Sequence, residues 1–189
     1  MSGVIGHTGS RSGIIGITET SSEVLLNTYT ANNSSNIIEI TGMSTIYKTY
    51  KFIVSQLKPA TDSIHVYWFL KNSGGTVRSS GYVGSGTRVY YNGSGSGSGV
   101  QIFGDTLFGN DSDLSNAHTY SGCFYVFDPM NASEYTHGTA IYNYVNDSSY
   151  NMNMRTGSHF TTKEAHPAIN LQTQSGNWHS GTVKMYGIK

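Results

Sequence analysis

Seven histidines, at positions 7, 65, 118, 137, 159, 166 and 179, are the residues through which this chain could do acid–base or metal chemistry. Imidazole titrates near neutral pH and ligates transition metals, but a metal needs several ligands brought together. No two of these histidines stand at i,i+2 or i,i+4, and the single cysteine, Cys123, forms no Cys/His pair of zinc spacing. His65 alternates with Tyr67 and Phe69 onto one strand face, so it is expected to be packed and hydrogen-bonded. The others fall in turns. The one cation candidate is an oxygen-rich run, Asp105, Asn110, Asp111 and Asp113, whose carboxylates suit Ca²⁺. It lacks the glycine and the bidentate glutamate of an EF-hand loop. Asx turns and a helix N-cap at Asp111 or Ser112 account for the same residues, so no cofactor is expected.

Hydrolytic chemistry finds no better footing. A glycosidase needs two carboxylates at a set separation. Asp128, Glu134 and Glu164 lie near aromatics, yet nothing in the sequence joins them. A Ser/His/Asp triad can always be named among 26 serines. The serine–glycine repeat around Gly93–Gly97 is followed by no helix, as a nucleophile elbow would need, and no glycine-rich stretch carries the Lys-Ser/Thr of a phosphate loop. The expectation is a protein that is not an enzyme. Sugar recognition is the stronger binding chemistry, because tyrosine and tryptophan rings give large contact area and Ser/Asn/Gly loops supply hydrogen bonds. Tyr90 and Tyr91 beside the glycine–serine run, with Tyr135 and Trp178, are the candidate glycan contacts, and Tyr142 and Tyr144 could extend them. Tyrosines at strand positions are also ordinary half-buried sheet residues. Trp68 is assigned to the core, and Cys123, before Phe124 and Val126, to a buried apolar position.

The elements that position these residues follow from composition. Ser, Thr, Asn and Gly supply 84 of 189 residues, charged residues only 22, Leu seven and Tyr fourteen. Helix formers are scarce, and residues suited to pleated strands and tight turns are plentiful, which predicts an all-β domain. Formal charge is zero with no basic cluster, which excludes nucleic acid as an expected partner. No apolar run approaches the roughly 20 residues of a membrane span. One cysteine permits no internal disulfide framework, and the first residues lack the pattern of a secretory signal. Both point to synthesis in a reducing cytoplasm, while the polar, weakly charged surface suits deployment outside a cell. Six Asn-x-Ser sequons are expected by chance in so serine-rich a chain.

Short strands separated by turn clusters run from Glu23 onward: 23–30, 37–41, 47–57, 64–70, 76–83, 87–91, 100–103, 122–127, 139–146, 150–155, 168–173 and 181–188. Ile64–Leu70 is apolar on both faces and reads as a central strand. Asn92–Gly99 reads as a long exposed loop, Asp147-Ser148-Ser149 as a hairpin turn, and Asp111–Ala117 as the only hint of a helical turn. The whole is a single antiparallel β-sandwich, jelly-roll-like, over residues 23–189. Before it, residues 1–22 repeat one pattern: Ser2-Gly3-Val4-Ile5-Gly6-His7-Thr8 returns as Ser12-Gly13-Ile14-Ile15-Gly16-Ile17-Thr18. So short a segment cannot bury its own Val4, Ile5, Ile14, Ile15 and Ile17, which makes it a candidate docking arm.

The closing Ser175-Gly176-Asn177-Trp178-His179-Ser180-Gly181-Thr182-Val183-Lys184-Met185-Tyr186-Gly187-Ile188 resembles the C-terminal hairpin of small β-sandwich virion proteins of tailed bacteriophages, of decoration or fibre type. Ser12-Gly13-Ile14-Ile15-Gly16 is similar to N-terminal arms of the same group. The two motifs cover about thirty residues and leave the middle of the chain untouched. The resemblance implies a non-enzymatic particle component located in the virion, with capsid or tail proteins and copies of itself as partners. A homo-trimer is the expected assembly, and a receptor-binding adhesin for host surface glycans is the alternative. Apart from any resemblance, Val183 and Met185 share one strand face, so the last strand has an apolar side to bury and is expected to be tied into a sheet.

Overall fold

The computed structural model describes residues 22–109 and 111–189, with Asp111 and Ser112 described by their backbone alone. Twelve strands follow in order: β1 (Glu23–Thr30), β2 (Ile37–Thr41), β3 (Thr49–Pro59), β4 (Ile64–Lys71), β5 (Tyr82–Tyr91), β6 (Ser96–Phe103), β7 (Asp111–Leu114), β8 (Tyr120–Phe127), β9 (His137–Val145), β10 (Asn151–Phe160), β11 (Ala168–Thr173) and β12 (Trp178–Ile188). The described residues contain no helix. Period-two patterning explains why. In β9 Gly138, Ala140, Tyr142 and Tyr144 are buried and the residues between them are exposed or half-buried; in β10 Met152, Met154 and Thr156 are buried in the same rhythm.

Every ladder is antiparallel, and the strands form two sheets. One has eight strands in the order β1-β12-β3-β8-β9-β10-β5-β6; the other has four, β2-β11-β4-β7. Their apolar faces meet as a sandwich around Trp68 of β4. Its ring stacks on Phe124 of β8 at 4.5 Å and meets Phe52 and Phe108 edge-on at 5.9 and 5.3 Å. Its indole Nε1–H donates to Tyr120 Oη at 3.3 Å. One side chain thus links both sheets, with its polar atom satisfied. The C-terminal strand lies between β1 and β3 with Val183 and Met185 buried, as the alternation required.

Eight strands at about 4.8 Å spacing span roughly 34 Å, against roughly 14 Å for four, so the small sheet cannot cover the large one alone. The segment between β6 and β7 covers part of the remainder, with Leu107 and Phe108 fully buried. Gly138 makes room for it: a Cβ there would lie 2.7 Å from the Phe108 ring and 3.0 Å from Leu107 Cγ.

Four local expectations are corrected. Residues 111–114 form edge strand β7 rather than a helical turn, because they pair with β4 at Ile64 and Val66. The glycine–serine run is a loop only at Asn92–Gly95. From Ser96 it becomes β6, paired residue for residue with β5. Residues 82–91 form one continuous strand, while Thr76–Gly81 joins the sheet only through an isolated bridge at Val77. Cys123 is half-buried on the outer face of the large sheet, one position out of phase with the core residue Phe124.

Candidate interaction face

The registers place the outward side chains of the large sheet in rows that run across its strands. One row reads Thr49, Phe127, His137, His159, Val83; the next reads Lys51, Tyr125, Thr139, Gly157, Ser85, Ile102; the third reads Ile53, Cys123, Ile141, Arg155, Thr87, Val100. Toward β3 the face mixes apolar groups, Ile53, Cys123 and Phe127, with a paired charge. Lys51 Nζ bonds Glu23 at 2.9 Å, and that carboxylate holds the ammonium above its ordinary pKa. Tyr125 is pushed up by its hydrogen bond with the Cys123 thiol.

Toward β6 the character changes. The hairpin β5–β6 turns outward Val83, Val89, Val100 and Ile102, 55, 54, 75 and 87 % exposed, with Tyr91 at its tip. From Tyr82 to Phe103 the only charged residue is Arg88, which points to the inner face under the ring of Tyr90 at 5.7 Å. The outer side of this hairpin is therefore free of charge, with Val83, Val89, Val100 and Ile102 forming an apolar strip set among Ser85, Thr87 and Ser98. Isolated exposed apolar residues are ordinary, but a contiguous strip marks an interaction surface.

Beside the strip Gly157 leaves a gap in its row, with nothing nearer to a notional Cβ than Gly138 O at 3.9 Å. The gap opens into a shallow depression of about 470 Å³ lined by Val83, Ser85, Ile102, His137, Gly157 and His159. Three rings stand along one side: His137 and His159 lie 5.6 Å apart, and Tyr135 lies 5.6 Å from His159 with the Lys163 ammonium 5.1 Å from its ring centre. A second depression, of about 370 Å³, opens between β1 and β2, whose edges are held together by Tyr29 Oη bonding both the amide and the carbonyl of Thr41 at 2.9 Å.

One side-chain cluster has the geometry of a hydrolytic relay. Glu164 lies under Arg78 with two contacts of 2.6 Å, which hold its carboxyl down to about 2. An ionised carboxylate only accepts, so His166 Nε2–H donates to it at 3.3 Å and Nδ1 accepts from the Thr136 hydroxyl at 2.8 Å. Burial pushes the His166 imidazole down, keeping it neutral. Yet Thr136 and His166 are both 0 % exposed, so no substrate carbonyl can reach the hydroxyl. The cluster is a clamp. It joins the turn after β4, the segment before β9 and the segment after β10, where the His166 amide also bonds Pro129 O at 2.7 Å. Sequence reading missed it, because its members are scattered over nearly ninety positions and none forms a motif.

The sequence-derived site residues fall in different places. Tyr135 belongs to the ring array, and Tyr91 is exposed at the hairpin tip with its hydroxyl on Gly93 O at 3.0 Å. Tyr90 turns inward, covers Gly97 and packs edge-on against Tyr150 at 5.4 Å. Trp178 is corrected: it is 1 % exposed and donates its indole N–H to Leu171 O at 3.2 Å, so it is a core residue that only borders the depression between β1 and β2. Tyr142 and Tyr144 are likewise buried. The carboxylates Asp128 and Glu134 each sit by a separate lysine, Lys48 at 3.0 Å and Lys163 at 3.8 Å, rather than across a common cleft. Asp105 and Asp113 join no metal-binding group: among the described residues no three His, Cys, Asp or Glu side chains are placed to hold a metal ion. The Asp111 side chain, and the arm residues Val4, Ile5, Ile14, Ile15 and Ile17, lie outside the described residues. Comparison with protein-family models, curated proteins and solved structures finds no match.

Proposed function

We propose that this chain is a non-enzymatic structural protein of a tailed-bacteriophage virion, a decoration or fibre-like component made in the host cytoplasm. It docks on capsid or tail proteins through residues 1–22 and assembles with copies of itself. The observation that carries this reading is the charge-free apolar strip on β5–β6, a surface suited to burial against protein. The resemblance of Ser175–Ile188, the segment that supplies β12 beside the edge strand β1, adds to it. Quantitative mass spectrometry of purified particles against the major capsid protein tests it. A ratio near one assigns the chain to the head surface, and a few copies per particle assign it to the tail or a fibre. Absence from the particle refutes the reading.

A second reading, recognition of host surface glycans, is favoured by the Tyr135–His159–His137 ring array beside the Gly157 depression. Aromatic faces with serine and imidazole groups at the margin match the apolar face and hydroxyl rim of a pyranose. Glycan-array binding that disappears in Tyr135→Ala, and in Gly157→Val, which fills the depression, supports it. Silence of the wild-type protein across the array removes it.

A further inference from the structure

A sheet edge presents unpaired amide and carbonyl groups, and folded proteins blunt such edges with short strands, bulges, prolines or charges. Three of the four edges of this sandwich carry those devices. β1 has a register break between Leu25 and Asn27 and opens on Glu23. β2 is five residues long and displays Glu39, paired to Lys71 at 2.6 Å. β7 is four residues long and contains two aspartates. The edge β6 has none of them. Its eight residues, Ser96–Phe103, include no proline and no charge, and their register on β5 runs unbroken from Tyr91↔Ser96 to Gly84↔Phe103. Its outward side chains Val100 and Ile102 are the two most exposed large hydrophobics among the described residues.

We propose that β6 is the contact between two copies of this chain, pairing antiparallel with the β6 of a second copy across a two-fold axis, so that the large sheets become continuous. This rests on the assembly reading above and names the neighbour of the β6 edge that borders its apolar strip. Antiparallel pairing of one strand with itself is self-complementary under a two-fold, so a single surface suffices. A neutral strand meets a neutral strand, with no charge left to match. An axis at Gln101 sets Val100 against the partner's Ile102 and Ile102 against the partner's Val100, all on the outer face, because opposed residues of an antiparallel pair share a face. Ser96, Gly97, Ser98 and Gly99 put little bulk along the rest of the edge.

The area decides the strength. With the axis at Gln101 the paired edge is Gly99–Phe103, about 17 Å long, and with a sheet about 10 Å thick this gives roughly 200 Å² per copy once side chains are counted. The total of roughly 400 Å² is well below the about 1,200 Å² of a standard stable interface, so the dimer is weak in solution and is reinforced where many copies are held together.

Sedimentation velocity on the full chain tests this. The expected result is a weak monomer–dimer equilibrium in which the dimer fraction rises with protein concentration. The variant Val100→Lys/Ile102→Lys weakens it at least about tenfold, since the new charges face one another across the axis. Because both positions are at least 75 % exposed, its melting temperature stays that of wild type. Hydrogen exchange at Ser96–Phe103 slows as protein concentration rises. Four results overturn the proposal: a monomer throughout the range, association unaffected by the lysine pair, a trimeric mass, or loss of association in Ile14→Ser/Ile15→Ser/Ile17→Ser, which would make the arm the occupant. A monomeric protein that still incorporates into particles refutes edge pairing alone, whereas a dimer absent from particles refutes the virion reading alone.

Discussion

Replacing Trp178 by alanine separates a core residue from a ligand-contact residue. The ring is 1 % exposed, and its N–H has a partner in Leu171 O. An indole buries about 200 Å², which at about 25 cal/mol per Å² corresponds to roughly 5 kcal/mol, an upper bound because unfolded chains already shield some apolar surface. Truncations of buried Phe or Trp to Ala cost about 3–5 kcal/mol, cavity included. The two estimates converge near 4 kcal/mol, a large fraction of a typical domain's about 5–15 kcal/mol. At about 2–4 °C per kcal/mol for a domain of this size, the melting temperature of Trp178→Ala falls by roughly 8–16 °C. Trp178→Phe keeps most of the ring and loses the hydrogen bond, so about 1–2 kcal/mol is expected. Calorimetry and urea titration of both variants beside Tyr135→Ala, whose ring is 40 % exposed, provide the comparison. A drop below about 3 °C for Trp178→Ala would refute the packing account and return the residue to the surface.

Acid sensitivity follows from the clamp. His166 is held below its ordinary value of 6.5 by burial, so the unfolded chain takes up that proton first, and stability falls as pH drops from 6.5. Glu164 is held down to about 2 from 4.5, so its contribution is intact above pH 4.5 and is lost between 4.5 and 2. Urea titrations at several pH values should show both declines, and His166→Gln should flatten the upper one; a pH-independent midpoint above pH 4.5 counts against the buried imidazole. Thr136→Val leaves Nδ1 of His166 without a donor in a site that is 0 % exposed, which should cost about 1–3 kcal/mol by urea titration. Gly181→Ala should cost more than about 2 kcal/mol or prevent folding, because φ is +109° and the new Cβ would lie 2.6 Å from Leu57 Cα across the β3–β12 ladder. A soluble Gly181→Ala protein with wild-type stability would show that the ladder yields there.

The all-β class, most strand positions and the inward residues Val183 and Met185 of β12 were legible because alternation is a local property: a strand half-buried in a sheet writes its burial into every second residue. β1, β2 and β11 fall at their sequence-derived limits for the same reason. Where sequence reading failed, the deciding partner was distant. Ser96–Gly99 has the composition of a linker and becomes a strand because β5 offers it a complete ladder. Residues 111–114 have the residues of a cap and pair with β4 instead. Trp178 looks like a loop aromatic, yet the backbone of Ser35 and the carbonyl of Leu171 draw it inward. The sequence by itself determined which residues alternate, which turns are permitted and that charge is scarce. Tertiary structure alone decided which aromatic rings reach solvent, that Thr136, Glu164 and His166 meet in a sealed clamp, and that one sheet edge remains unguarded. Strand order and sheet packing bring together residues far apart in the chain, and no local pattern records that encounter.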